Sequence, residues 1–181
     1  AVQPPARSYP ATAFHAGLGV TIVQGGASVQ SGQELLDMWS WDGSRWQRLL
    51  VAGPTPRQRH KMVYDTHRNR LVLFGGIQTL LWLGDTWEWD GGTAWQLRAQ
   101  TGPPVRHGHG MAYDPQRRRV VLVGGAGFQS QLNDTWEWDG TTWTQVPATI
   151  SPSPRQGQVM AFDRRLGRVL LFGGDLFTDT W

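Results

Sequence analysis

The double glycines Gly25-Gly26, Gly75-Gly76, Gly124-Gly125 and Gly173-Gly174 recur at separations of 50, 49 and 49 residues. A chain that repeats itself at such a period folds as stacked copies of one supersecondary unit, because a single copy cannot bury its own apolar face. Two further markers keep the same step. One is Asp37–Gly43, repeated as DTWEWDG at Asp85–Gly91 and Asp134–Gly140 and restarting at Asp179-Thr180-Trp181. The other is an arginine that opens each unit: Arg7, Arg57, Arg106 and Arg155. The units run at about 7–55, 56–104, 105–153 and 154–181, the last one incomplete, and together they fill a single domain over 1–181.

Inside a unit the pattern is that of strands. In residues 106–146, His109–Tyr113 is a short β-prone run and Asp114-Pro115 a turn. Arg119–Val123 is apolar and ends at the double glycine, and Thr135–Trp138 alternates up to Asp139-Gly140, a two-residue hairpin signal. Thr142–Val146 follows as a fourth strand. Four strands in about 49 residues make one propeller blade. Trp87 and Trp89, two apart, point to one side of their strand. With the fourth-strand tryptophan they are expected to fill the wedge between blades, and eleven Trp in 181 residues supply the bulk. The double glycine is expected to admit a close approach that a Cβ would block.

A double glycine after an apolar strand, then Trp pairs at Trp39/Trp46, Trp87/Trp95 and Trp136/Trp143, resembles the kelch repeat, in the galactose oxidase-like superfamily and in a bacterial form with DTWEWDG. The Trp-Asp pairs at 41-42, 89-90 and 138-139 precede a hairpin glycine and the period is nearer fifty than forty, which sets the chain apart from WD40 blades. The resemblance implies an all-β, kelch-type β-propeller of about 3.7 four-stranded antiparallel blades. Closed propellers take roughly 4–8 blades. The ring is therefore expected to be incomplete: a piece of a longer propeller, the preferred expectation because the chain stops inside a repeated motif, or half of a ring that two copies close by self-association.

With no Cys in the chain, disulfides, thiol catalysis and a galactose oxidase-like Cys-Tyr copper centre are all ruled out. Apolar runs such as Leu80–Leu83 and Val169–Phe172 are too short to span a bilayer, so no membrane insertion is expected. Sixteen of the seventeen basic residues are Arg and the formal charge is +3. Arg70, Arg119 and Arg168 recur at the blade end opposite the Arg57 series, so the charge forms no single stripe and no nucleic-acid partner is expected. Gly124-Gly125-Ala126-Gly127 has no helix after it and is not a dinucleotide loop. No metal or cofactor is expected. A secreted or cell-surface location is favoured over the cytoplasm.

Internal repeats separate scaffold from site: positions identical in every blade serve the blade, and positions that vary are free to serve a ligand. The Arg57 series is thus read as structural, pairing with Asp85-type or Glu88-type carboxylates. His60 and His109 share a repeat position with Gln158 and are expected to line the central channel. The segments after each double glycine (Ala27–Leu36, Ile77–Gly84, Ala126–Asn133, Asp175–Thr178) vary in length and sequence, and Trp82 and Phe128 lie in them as surface loop residues. The resemblance implies that these segments and the blade connections share one face, where Trp82, Phe128, Arg59, Arg106, His107 and Gln156 form the expected binding site. The expected function is a non-enzymatic scaffold that recognises a protein or glycan ligand. The alternative is a sugar-modifying enzyme of epimerase or mutarotase type, for which His60 and His109 are the visible acid–base candidates.

Overall fold

The computed structural model describes residues 2–147 and 149–181. Three antiparallel sheets of four blade strands each, the third joined by the short strand Arg106–His107, and the start of a fourth sheet follow one another along the chain. The first blade comprises Ala11–His15, Val20–Gln24, Met38–Trp41 and Trp46–Leu49. The second comprises Lys61–Asp65, Arg70–Gln78, Leu81–Trp89 and Gln96–Ala99. The third comprises Gly110–Asp114, Arg119–Gly127, Gln131–Trp138 and Trp143–Val146. In the fourth, Val159–Asp163 pairs with Arg168–Phe172, and Thr180 bridges back to Phe172. The four inner strands are neighbours in succession, so the blades circle one axis.

The turn from the first to the second strand is held by one side chain. Asp65 Oδ1 accepts the amides of His67 and Arg68 at 3.0 Å each, and Asp114 and Asp163 do the same one and two blades on. His15 occupies this position in the first blade, where its Nδ1 accepts the Leu18 amide at 3.3 Å.

Two local expectations change. In the second and third blades the second strand runs through the double glycine instead of ending there: Phe74 pairs with Thr86, the register slips by a bulge, and Gly76 pairs with Leu83. Trp82 is therefore a strand residue opposite Ile77, not a loop residue, and the hairpin tip is Thr79-Leu80. The glycines work as the bulge, with Gly75 at φ 67° and Gly76 at φ 102°. The Asp-Gly turns are also longer than two residues. Trp138 pairs with Trp143, and Asp139 Oδ1 accepts the amides of Thr141 and Thr142 at 2.8 Å, closing a four-residue connection.

The core lies between blades, as strand alternation requires. Leu71 and Leu73 face the first blade and pack with Ile22 and Met38, whereas Val72 and Phe74 face the third and pack with Met111 and Trp138. Val121 and Val123 repeat this against Leu171 of the fourth blade. Indole N–H groups fasten the seam: Trp138 donates to Glu88 Oε1 at 2.9 Å and Trp143 to Thr86 Oγ1 at 2.8 Å, both in the blade before. Among the described residues the ring is open. Phe172, the counterpart of buried Phe74, is 52% exposed, and Phe14 on the first blade is 57% exposed. Trp41 and Trp46, counterparts of the buried Trp89 and Trp95, are half-buried against each other with centroids 5.3 Å apart.

Candidate functional site

Each blade begins with an arginine whose guanidinium is consumed by the scaffold. Arg57 donates from Nη1 and Nη2 to Asp85 at 2.7 and 2.8 Å, to the Gly75 carbonyl at 3.0 Å and, through Nε, to the Thr55 carbonyl at 3.1 Å. Arg106 binds Asp134, Gly124 and Pro104 in the same way, and Arg7 and Arg155 use Asp37 and Asp179. The same carboxylate accepts the indole N–H two residues on: Trp39, Trp87, Trp136 or Trp181. Of the two carboxylate types the sequence leaves open, the Asp85 type is the partner. Glu88 instead accepts from Arg68 Nη1 at 2.6 Å and from Trp138. Arg106 is 0% exposed, which corrects its placement among ligand-binding residues.

His60, His109 and Gln158 also leave the expected channel wall. His60 borders the axial mouth and Gln158 the channel below it, yet their side chains lie in the seams and all three residues are at most 1% exposed. A Cβ added to Gly25 would sit 3.0 Å from Cε1 of His60, and one added to Gly124 would sit 3.0 Å from Nε2 of Gln158. Each of these side chains thus occupies the space that the preceding blade's first glycine leaves free. Gln158 Nε2 donates to the Val123 carbonyl at 2.8 Å. Burial, assisted by the Arg57 and Lys61 charges, lowers the His60 pKa to about 3, and burial with Arg106 holds His109 well below its ordinary value. Buried in this way, neither imidazole is within reach of a substrate.

The connections themselves form the site. Two residues after each arginine the backbone is left-handed: Tyr9 at φ 54°, Arg59 at 57°, Gly108 at 63° and Gly157 at 76°. Their peptides join into a chain of hydrogen bonds around the axis. The Arg59 amide donates to the Tyr9 carbonyl at 3.1 Å, the Gly108 amide to the Arg59 carbonyl at 2.9 Å, and the Gly157 amide to the Gly108 carbonyl at 2.7 Å. The third and fourth blades fill this position with glycine. Tyr9 and Arg59 hold it at a backbone cost of about 1–2 kcal/mol each.

This chain rims a cavity of ≈ 380 Å³ lined by Tyr9, Arg59, Lys61, Gln156 and Asp175 among others. The Arg59 guanidinium lies 4.0 Å from the centroid of the Tyr9 ring. Beside the mouth, Trp82 stacks on His107 with centroids 4.4 Å apart and meets Phe128 edge-on at 6.3 Å. Phe128 is 74% exposed, and Leu80 and Leu81 at the adjoining hairpin tip are exposed as well. Burial, and then the Arg59 charge, lower the His107 pKa. Trp82, His107 and Phe128 therefore form one group and Arg59 and Gln156 another, adjoining through the neighbouring Arg59 and His107. Tyr9 and Lys61 are the members that sequence reasoning missed. A signal for Tyr9 existed, since it and Arg59 replace the glycines of Gly108 and Gly157 in repeat register.

Over residues 2–174 the sequence matches the family described as the KLHDC2/KLHL20/DRC7 Kelch-repeats domain. No curated protein matches the chain. Among solved structures it is similar to that of YjhT, with a TM-score of 0.77 and 14% identity, over 93% of this chain and 59% of that one. At that identity the likeness concerns the fold alone, and the chain spans 59% of the length of the protein it resembles.

Proposed function

Because the chain belongs to the kelch-repeat family, we propose that it serves as a non-enzymatic binding scaffold that recognises a protein or glycan through one face. The observation that carries this reading is the Trp82–His107–Phe128 group. It is an aromatic surface that no repeat position requires: Trp82 sits on a paired strand extension, His107 pairs with Ala126 of the next one, and Phe128 stands at the hairpin tip that follows. Aromatic side chains held in this way supply contact area at little loss of conformational entropy, and they dominate the binding energy of many interfaces. Trp82→Ala combined with Phe128→Ala is expected to weaken binding to ligands selected on the wild-type protein from peptide and glycan libraries by about thirtyfold or more, near 2 kcal/mol. The melting temperature should stay nearly the same. Unchanged affinity, or a protein that no longer folds, contradicts the assignment.

The same reading extends to the free blade faces. Phe14, Trp41 and Trp46 on the first blade and Val159, Leu170 and Phe172 on the fourth stand where the second and third blades carry the two halves of every internal seam. They are built to be covered by further blades, supplied by a longer chain or by a second copy. The mass of the 181-residue chain in solution separates the two sources. A dimer near 40 kDa, twice the 20.2 kDa of the chain, supports the second copy, and a stable monomer removes it.

A further inference from the structure

The geometry points to a carboxylate-recognition site at the axial mouth, formed by the Arg59 guanidinium with the Lys61 ammonium below it. This rests on the binding-scaffold reading and specifies the chemistry of the ligand. Four features of the connections lead to it. Among the described residues, neither Arg59 nor Lys61 has a side-chain hydrogen bond or a salt bridge, whereas every arginine of the Arg57 series has its own aspartate. Lys61 is the only lysine in the chain. It borders both the mouth and a channel of ≈ 650 Å³ below, whose wall of Phe14, Tyr64, Tyr113, Met160 and Phe162 carries no carboxylate. The one acid at the mouth, Asp175, accepts the Gln156 amide at 3.1 Å, so two cations face one carboxylate that already has a partner.

The third feature is orientation. Arg59 is seated with its guanidinium carbon over the Tyr9 ring, a contact that uses none of its N–H donors, and those donors match a planar carboxylate in two parallel hydrogen bonds. The fourth is strain. Arg59 and Tyr9 keep a left-handed backbone where the next two blades use glycine, and strain of that kind persists where a side chain is needed. Burial lowers the Lys61 pKa, and a bound carboxylate reverses that shift. The acid has two possible sources, an acidic peptide side chain and an acidic sugar, and both present the same planar group.

Calorimetric titration of the intact chain with a hexaglutamate peptide, a hexaglutamine peptide, a glucuronate-containing disaccharide and its neutral counterpart tests the site. At least one acidic probe should bind at least tenfold more tightly than its neutral match, and Arg59→Gln should remove that preference. Reductive methylation with a carbon-13 label makes the single lysine visible by NMR, and its titration should move to higher pH when the acidic probe is added. If the acidic and neutral probes bind alike, or the preference survives in Arg59→Gln, or the Lys61 signal does not move, the assignment is overturned. Loss of ligand binding in the Trp82 and Phe128 variant with no acid preference anywhere would leave the scaffold reading standing and remove this one alone.

Discussion

Asp134→Ala should destabilise the protein by about 3–5 kcal/mol, because it leaves Arg106 charged, wholly buried and without its fork partner. Asp134 itself keeps some solvent contact, which places the expected value toward the lower end of that range. The carboxylate also accepts the Trp136 indole at 2.7 Å, so two side chains lose three hydrogen bonds at once. Burial alone would raise the Asp134 pKa; the Arg106 hydrogen bonds and charge overcome that and hold it below the ordinary value. Urea melts of the wild type, Asp134→Ala and Asp134→Asn measure the effect. Asn keeps one acceptor for the guanidinium and should lose less. Removing both partners, as in Arg106→Met with Asp134→Leu, should recover part of the loss, since no unpaired charge remains. A loss below about 1 kcal/mol for the alanine variant would mean that the arginine series is not holding the blades.

A second large effect is expected in acid. His60 and His109 are neutral in the folded protein, with pKa values lowered by burial and by the Arg57, Arg106 and Lys61 charges, against which Asp85 offers His60 only partial relief. Unfolded, both titrate near the ordinary value of about 6.5. Below that pH the unfolded state binds protons that the folded state refuses. Their contribution is thus fully present above pH 6.5 and is lost progressively as the pH falls toward the folded value of about 3 for His60. Each excluded proton contributes a slope of up to about 1.4 kcal/mol per pH unit. The depressed carboxylates begin to lose their contribution only near pH 5, so the upper part of the fall, from pH 6.5 to about 5, belongs to the histidines. His15 and His107, also lowered, add a smaller share. Gln158 shows which side chain the seam accepts in place of histidine. The double variant His60→Gln, His109→Gln should fold at pH 7 and lose markedly less stability than the wild type between pH 6.5 and 4. Parallel stability curves would contradict the burial of these two rings.

The blades were legible in the sequence because three markers keep one period, and a period fixes architecture before any strand boundary is known. The pairing of the arginine series with a carboxylate was legible too, and the repeat already held the answer, since Asp85 recurs as Asp37, Asp134 and Asp179 whereas Ser40 stands at the Glu88 position of the first unit. Direction was not legible. His60 lies beside the inner strand, and sequence shows its place but not that the ring turns away from the axis into the gap left by Gly25. The strand extension that carries Trp82 was hidden for a related reason. A double glycine reads as the end of a strand, yet in the left-handed region it makes a bulge after which pairing resumes. Of the proposed recognition face, Trp82, Phe128, Arg59, His107 and Gln156 were singled out from variation between blades, and the structure sets them side by side. Arg106 does not vary in this way and was misassigned.

At the blade connections, glycine-like backbone positions build the ring, and on the reading proposed above the side chains that hold them in the first two blades, Tyr9 and Arg59, serve a ligand. Replacing Tyr9 and Arg59 together by glycine, the residue that the third and fourth blades use there, tests this most directly when stability and binding are measured on the same protein. Release of two left-handed side chains should offset the lost stacking of Arg59 on Tyr9, leaving stability within about 1 kcal/mol of the wild type. Affinity for ligands selected on the wild type should fall more than tenfold. A variant that binds as before, or one that loses several kcal/mol of stability, would show that these two residues belong to the scaffold after all.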